Sequence, residues 1–319
     1  MLKYLAVICL VFFSCHLVAA KLQVTPNNER GIKVANGQTA GEHEFPFIVS
    51  IQKQLSSGAF EHLCTGSILS STFVLTAAHC LDSSTTLVVV YGTYDNTCSD
   101  NCKYIKVKNQ IAHPSYQKGT ERNDIAVFEL ESALPIDDST VSTVSIDANS
   151  IAIHDEESDS SRLVLISGWG ALNSNLDYPK KLQKASVPIV KMSYCNNLNL
   201  GGVDIEQICA GAGNGRDACS GDSGGPLFRK ISSSSKYTQF GVVSTGYETC
   251  GATVSRGLYS NTTFYLSFIQ TYVPGVSVNQ DSDTVNPGDI GTGNTGTGSQ
   301  IVYTSLSFIV LLFIISLIF

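Results

Sequence analysis

The run Asp217-Ala-Cys-Ser-Gly-Asp-Ser-Gly-Gly-Pro226 constrains this chain more than any other segment. It sets Ser223 in a glycine-rich turn, with Asp222 immediately before it and Asp217 six residues before it. Gly224 and Gly225 allow a tight turn that residues carrying a β-carbon resist. A serine hydroxyl is a weak nucleophile at neutral pH. It attacks an amide only if a base takes its proton and later returns that proton to the leaving amine. Two upstream segments, Thr76-Ala-Ala-His-Cys80 and Asn123-Asp-Ile-Ala126, supply a histidine and an aspartate. One such residue alone would be structural; three, each inside its own motif, point to chemistry.

In the order histidine, aspartate, serine, these motifs resemble those of the chymotrypsin-like serine proteases. The resemblance runs from Val34 to about Val273. It implies an all-β fold, a double six-stranded β-barrel with a short C-terminal helix. It makes Ser223 the nucleophile, His79 the general base and acid, and Asp124 the buried carboxylate that orients His79. The backbone N–H groups of Gly221 and Ser223 would form the oxyanion hole, each donor worth about 2.7–4 kcal/mol. Ser244 resembles the serine that bonds the buried aspartate, and Thr76 is expected to do likewise. Trp169, in Ser167-Gly-Trp-Gly170, matches the second-barrel motif.

By the same resemblance Asp217 is the floor of the primary specificity pocket, where an aspartate resembles trypsin. A buried carboxylate needs a positive partner, which favours a substrate Arg or Lys. Gly246 and Gly257 match the pocket walls and Tyr259 the tyrosine behind them. Ala218 stands where trypsin itself has a serine. Arg is therefore expected over Lys, because a guanidinium meets a carboxylate bidentately. Glu121 would lie near the second substrate pocket and favour basic or polar neighbours. Two positions depart from the pattern: Asn36 replaces the first of two glycines, and Thr65 replaces a glycine common before Gly66-Ser67. Neither change touches the triad.

Activation is also readable. Val34-Ala-Asn-Gly37 resembles the family's new N-terminus, and Lys33 precedes it. Cleavage there would free the Val34 amine to pair with Asp222, ordering the oxyanion hole and pocket. Breaking such a buried pair costs about 3–5 kcal/mol, so the uncleaved chain is expected to be silent. Cleavage after Arg30 would leave Gly31-Ile-Lys, a poorer match.

Outside this domain the chain divides by composition. Residues 1–20 read as a signal peptide, with Lys3, an apolar run from Leu5 to Leu17 and a small-residue end at Val18-Ala-Ala20. That run is short for a membrane span. Residues 21–33 are polar and read as the activation propeptide. Residues 274–300 are rich in Gly, Thr, Ser and Asn and read as a flexible stalk. Residues 301–319 are strongly apolar. Two readings fit them: a GPI attachment signal acting near Asn294 (or Gly293), which is favoured, and a retained tail helix.

Two of the ten cysteines leave with the signal peptide. The remaining eight allow 105 pairings by number alone. The resemblance implies Cys64–Cys80, Cys195–Cys209 and Cys219–Cys250, leaving Cys98 and Cys102 to pair locally. The spacings do not suit zinc. Asp95 and Asp100 are a weak calcium signal, and no metal or cofactor is expected. Asn261-Thr-Thr263 is an N-glycosylation sequon; an unmodified turn is the other reading. The formal net charge is −7; residues 1–33 hold four bases and one acid, so their loss leaves −10. That balance argues against nucleic acid as a partner and suits cationic substrates.

Short β-branched runs broken by turn residues support the all-β reading, among them Phe47–Gln52, Phe73–Ala77, Thr86–Tyr91, Ile125–Leu130, Leu163–Ile166 and Phe240–Ser244. Asn261–Val273 has helical apolar spacing. The leading expectation is a monomeric, secreted endopeptidase at the outer face of the plasma membrane. Its partners would be Arg/Lys-bearing proteins or peptides and proteinaceous inhibitors. The first alternative is a catalytically weak, surface-displayed homologue that binds or regulates, a class that typically loses a triad residue. The second is chymotrypsin- or elastase-like specificity, against which Asp217 speaks.

Overall fold

Two closed β-barrels, each of six strands, make up the computed structural model. It describes residues 37–97, 102–149, 163–203, 205–211, 215–231, 236–247, 249–252 and 254–280. The first barrel uses β2 (Ile48–Gln54), β3 (Phe60–Ser70), β4 (Phe73–Thr76), β5 (Leu87–Val90), β6 (Tyr104–Ala112) and β7 (Ala126–Leu130). They close in the order β2-β3-β4-β7-β6-β5. The second uses β9 (Leu163–Gly168), β10 (Gln183–Val190), β11 (Gln207–Ala210), β12 (Pro226–Lys230), β13 (Tyr237–Gly246) and β14 (Gly257–Asn261). Its ring runs β12-β9-β10-β11-β14-β13, and pairing of β12 with β13 closes it. The double six-stranded barrel expected from the sequence is therefore present.

Three short strands extend the second sheet. β1 (Gln38–Thr39) pairs with β10, while β8 (Ser145–Asp147) and β15 (Val278–Asn279) add in parallel beside β13. The chain is thus still paired in the sheet beyond Val273, where the stalk is expected to begin. The helices among the described residues are α1 (Met192–Asn196) and α2 (Leu266–Tyr272), together with a 3-10 turn over Ala78–Cys80. Helical spacing suggested a start at Asn261. The structure begins the helix at Leu266, because Asn261 is still paired with Gly241 in the sheet.

The strands alternate so that Val49, Ile51, Ile68, Leu75, Val89 and Val127 are buried in the first barrel. An aromatic group joins the barrels. Phe47 and Phe45, beside β2, meet Phe228 of β12 edge-on at centroid distances of 5.2 and 5.0 Å. Such pairs add about 0.5–1.5 kcal/mol each beyond area burial. Arg122 grips Glu206 bidentately across the same junction, at 2.9 and 2.7 Å. The junction therefore holds in register the loops that come from the two barrels.

Disulfides fix the loops that carry the motifs. Cys64–Cys80 ties β3 to the turn bearing His79, Cys195–Cys209 ties α1 to β11, and Cys219–Cys250 ties the Ser223 loop to the segment after β13. All three match the expected pairs. The remaining expected pair involves Cys98, which lies outside the described residues. No described helix is long and apolar enough to cross a membrane. Lys33, Val34 and Asn294 also lie outside the described residues.

Candidate active site

His79 and Asp124 come from the first barrel and are bonded to each other, while Ser223 comes from the second, its carbonyl accepting from Thr65 N of the first barrel at 2.9 Å. His79 follows β4 in the 3-10 turn, and Asp124 lies just ahead of β7. Asp124 is wholly buried. Its carboxylate accepts the backbone N–H of His79 at 2.9 Å, the ring Nδ1–H at 2.7 Å and Ser244 Oγ–H at 2.6 Å. Three donors stabilise a buried charge that would otherwise be costly. The Nδ1 bond fixes the ring tautomer and leaves Nε2 with its lone pair outward.

Local irregularities place these partners. β13 and β14 slip register between Val243 and Thr245, so Ser244 has no partner on β14 and turns to Asp124. Ser260 Oγ–H holds the Asp124 carbonyl at 2.6 Å, a contact the sequence reading missed. Thr76 does not reach Asp124 as expected; its hydroxyl donates to the Thr65 carbonyl at 3.0 Å. Glu121 and Asn123 both have left-handed backbones, with φ of 50° and 55°. Glu121 is held by the Tyr116 hydroxyl at 2.9 Å, and a carboxylate oxygen lies within 4.8 Å of ligand atoms of His79 and Asp124. Asp124 already serves three donors, so this trio is poorly suited to a metal.

Burial alone would lower the His79 pKa. The hydrogen bond and charge of Asp124, with the charge of Glu121, outweigh burial and raise it above 6.5.

Backbone orientation around Ser223 is equally determined. A trans peptide points its N–H opposite its carbonyl. The Ser220 carbonyl accepts from Ala171 N at 2.8 Å, and the Asp222 carbonyl accepts from Gly225 N at 2.9 Å. The N–H groups of Gly221 and Ser223 therefore face the other way, and neither has an acceptor among the described residues. The Gly221 carbonyl is held by Thr65 Oγ1–H at 3.1 Å and by His62 Nε2 at 2.9 Å. Burial lowers the His62 pKa to about 4, so the ring is neutral, donating through Nε2 and accepting from Ser50 Oγ at 2.7 Å through Nδ1. The threonine that departs from the family glycine thus supports the turn that carries Ser223. Its buried side chain and its distance in sequence hid that role.

Asp222 turns toward the segment that follows β9. It accepts from Gly170 N at 2.8 Å and Cys219 N at 2.9 Å. Burial still pushes its carboxyl up to about 6. A β-carbon at Gly170 would lie 2.7 Å from Asp222 N, so close approach requires glycine there.

Asp217 is also buried. Gly246 and Gly257 are register partners across β13 and β14. β-Carbons placed on them would lie 3.7 and 3.1 Å from the Asp217 carboxylate oxygens. The two glycines thus keep β-carbons away from the acid. Tyr259 lies buried behind Gly257, as expected.

The comparisons agree with this architecture. Residues 34–269 match the trypsin family model. The chain is 35% identical over 247 residues to trypsin Blo t 3 of Blomia tropicalis, covering 74% of this chain and 85% of that protein. It is 34% identical over 209 residues to chymotrypsin-like elastase family member 3B of Homo sapiens, covering 63% and 74%. With transmembrane protease serine 11G of Rattus norvegicus it shares 30% over 260 residues, covering 80% of this chain but 59% of that protein. A family match spanning the paired barrels, with relatives this similar over most of the domain, establishes that the chain belongs to the trypsin family of serine proteases.

Proposed function

We propose that the protein is an endopeptidase that cleaves after Arg and Lys through an acyl-enzyme. The observation that carries this reading is the buried Asp217 carboxylate bordered by Gly246 and Gly257, where a long cationic side chain would be neutralised. Ser223 attacks the carbonyl, His79 takes and returns the proton, and Asp124 holds the imidazole and stabilises its charged form. The N–H groups of Gly221 and Ser223 receive the oxyanion. Some relatives are named as elastases, but a buried acid on the floor leaves its oxygens poorly matched by an apolar side chain.

Activation is by cleavage after Lys33. The new Val34 amine then supplies the positive charge that the buried Asp222 carboxylate favours. We measure this by amide hydrolysis with matched Arg, Lys, Phe and Ala substrates, before and after that cleavage. Turnover of Arg above Lys, appearing only after cleavage and absent from Ser223→Ala, is expected. Equal Arg and Lys turnover would sink the preference; hydrolysis of Phe or Ala alone would overturn the specificity.

The domain acts outside the cell on protein or peptide substrates, as a monomer open to proteinaceous inhibitors. Asn261 is its glycan acceptor. Residues 301–319 direct attachment of a lipid anchor near Asn294. Phosphatidylinositol-specific phospholipase should release the protein from intact cells. Release by alkaline extraction alone would rule out any membrane anchor, and retention after deacylation and phospholipase would favour a tail helix.

A further inference from the structure

The acid on the pocket floor is held by a hydroxyl from an unexpected place. Ala218, beside Asp217, lacks an oxygen, but Ser255 Oγ–H donates to Asp217 Oδ2 at 2.6 Å from a different loop. Ser255 is completely buried, and its N–H donates to the Ala252 carbonyl at 2.9 Å, which fixes that loop. On the other oxygen, Ala218 N donates to Oδ1 at 2.8 Å. A carboxylate offers about four acceptor positions, two on each oxygen. One on each is taken. One on each remains, which matches the two parallel N–H bonds of a guanidinium fork better than a compact ammonium.

We propose that Ser255 is a specificity-determining residue of this protease, fixing the Asp217 carboxylate in the ionised orientation that receives a substrate arginine. This rests on the Arg/Lys reading above. Burial is the largest influence on Asp217 and pushes its carboxyl up to about 7; the nearby Asp222 charge also raises it. Ser255, Ala218 N and the Arg256 charge act the other way. Arg256 lies over the Tyr194 ring at 5.0 Å and donates to the Val254 carbonyl at 3.0 Å. The Tyr259 hydroxyl is buried, has no protein partner among the described residues, and is held in its neutral form by burial and by Asp217 and Asp222. Loss of the Ser255 bond leaves Asp217 titrating at higher pH, so the acid is more often neutral near pH 7. Charge on the floor then returns as pH rises.

The test uses the full chain cleaved after Lys33, as wild type, Ser255→Ala and Ser255→Thr. Matched Arg and Lys amides are followed from pH 5 to 9. The rate of phosphonylation of Ser223 by a small organophosphorus fluoride, which needs no pocket occupant, is measured alongside. Ser255→Ala should lower kcat/KM for Arg about tenfold or more at pH 7, the usual scale for losing a hydrogen bond to a charge. Lys should fall less, activity should recover toward high pH, and phosphonylation should stay within about twofold. Ser255→Thr should restore Arg turnover. An unchanged pH profile in Ser255→Ala overturns the proposal. An equal loss of phosphonylation does so too, since Ser255 would then support the whole site. If the wild type is phosphonylated but cleaves neither Arg nor Lys, the Arg/Lys reading itself fails, and the wild-type measurement alone reveals it.

Discussion

Asp124→Asn should lower kcat by about 10⁴ at pH 7 while leaving the barrels folded. The magnitude is carried over from the family's template enzyme; the direction follows from the bonds of Asp124. Its carboxylate accepts from the His79 backbone, the His79 ring and Ser244. An asparagine amide keeps one acceptor oxygen and turns a donor either toward the ring and Ser244, which share Oδ2, or toward the His79 backbone N–H at Oδ1. If it faces the ring, Nδ1 must become the acceptor, and Nε2 then carries the proton and cannot receive one from Ser223. The charge that stabilises the imidazolium is also lost. The same change moves the pH profile. In the native protein Asp124 and Glu121 outweigh burial and raise the His79 pKa above 6.5. With His79 as the proposed base, native activity should develop as pH rises through that raised value. By linkage, the protonated ring stabilises the fold below about 6.5 and loses that contribution as pH rises through the raised pKa. Asp124→Asn removes the larger opposing influence, so the acidic limb of any residual activity moves to lower pH. Initial rates across pH, normalised by active-site titration, check both points. Loss under tenfold, or an unmoved limb, would show that Asp124 is not the group acting on His79.

The residues that could be read from the sequence were those embedded in short motifs. The strands expected over Phe73–Ala77, Thr86–Tyr91 and Leu163–Ile166 appear within a residue or two of those limits, because turn residues bound β-branched runs. The strands β1, β8 and β15 were not legible. Each has two or three residues, too few to show a period, and β8 and β15 gain their place from parallel pairing with distant chain. The same limit applies at the site. Asp217 and the residues of the Ser223 turn showed themselves through the resemblance of one short motif to the family's. Their supports did not: His62 reaches Gly221 from 159 positions away, and Ser260 reaches Asp124 from 136. Ser255 and Thr65 are single polar residues whose contacts arise only when the loops are folded together. Thr76 was misassigned for the opposite reason. It stands close to His79 in sequence, but strand geometry aims its hydroxyl at Thr65.

Gly224→Ala should abolish hydrolysis and destabilise the fold by about 2–5 kcal/mol, combining a strained backbone with overpacking. Gly224 has φ of 78°, where an L-residue with a side chain is disfavoured. A β-carbon there would meet Thr76 Oγ1, and it would lie 2.5 Å from the Thr65 carbonyl oxygen and 3.0 Å from Ala77 N. None of these atoms yields easily. Thr76 Oγ1 is bonded to Thr65 O, Thr65 N to the Ser223 carbonyl at 2.9 Å, and Gly224 N to the Val243 carbonyl at 2.8 Å. The substitution must therefore push the nucleophile turn away from β3 and β4, and Ser223 moves with it. Gly58→Ala separates the two costs. Gly58 has φ of 83° but nothing within 4 Å of an added β-carbon. It should lose only the backbone preference, about 1–2 kcal/mol, and keep full activity. Denaturant midpoints and active-site titration of both variants supply the comparison. Equal destabilisation with retained titratable serine would mean that the contact with Thr65 and Thr76 does not fix the turn, and the backbone around Ser223 would have to be held by the Gly221 carbonyl contacts instead.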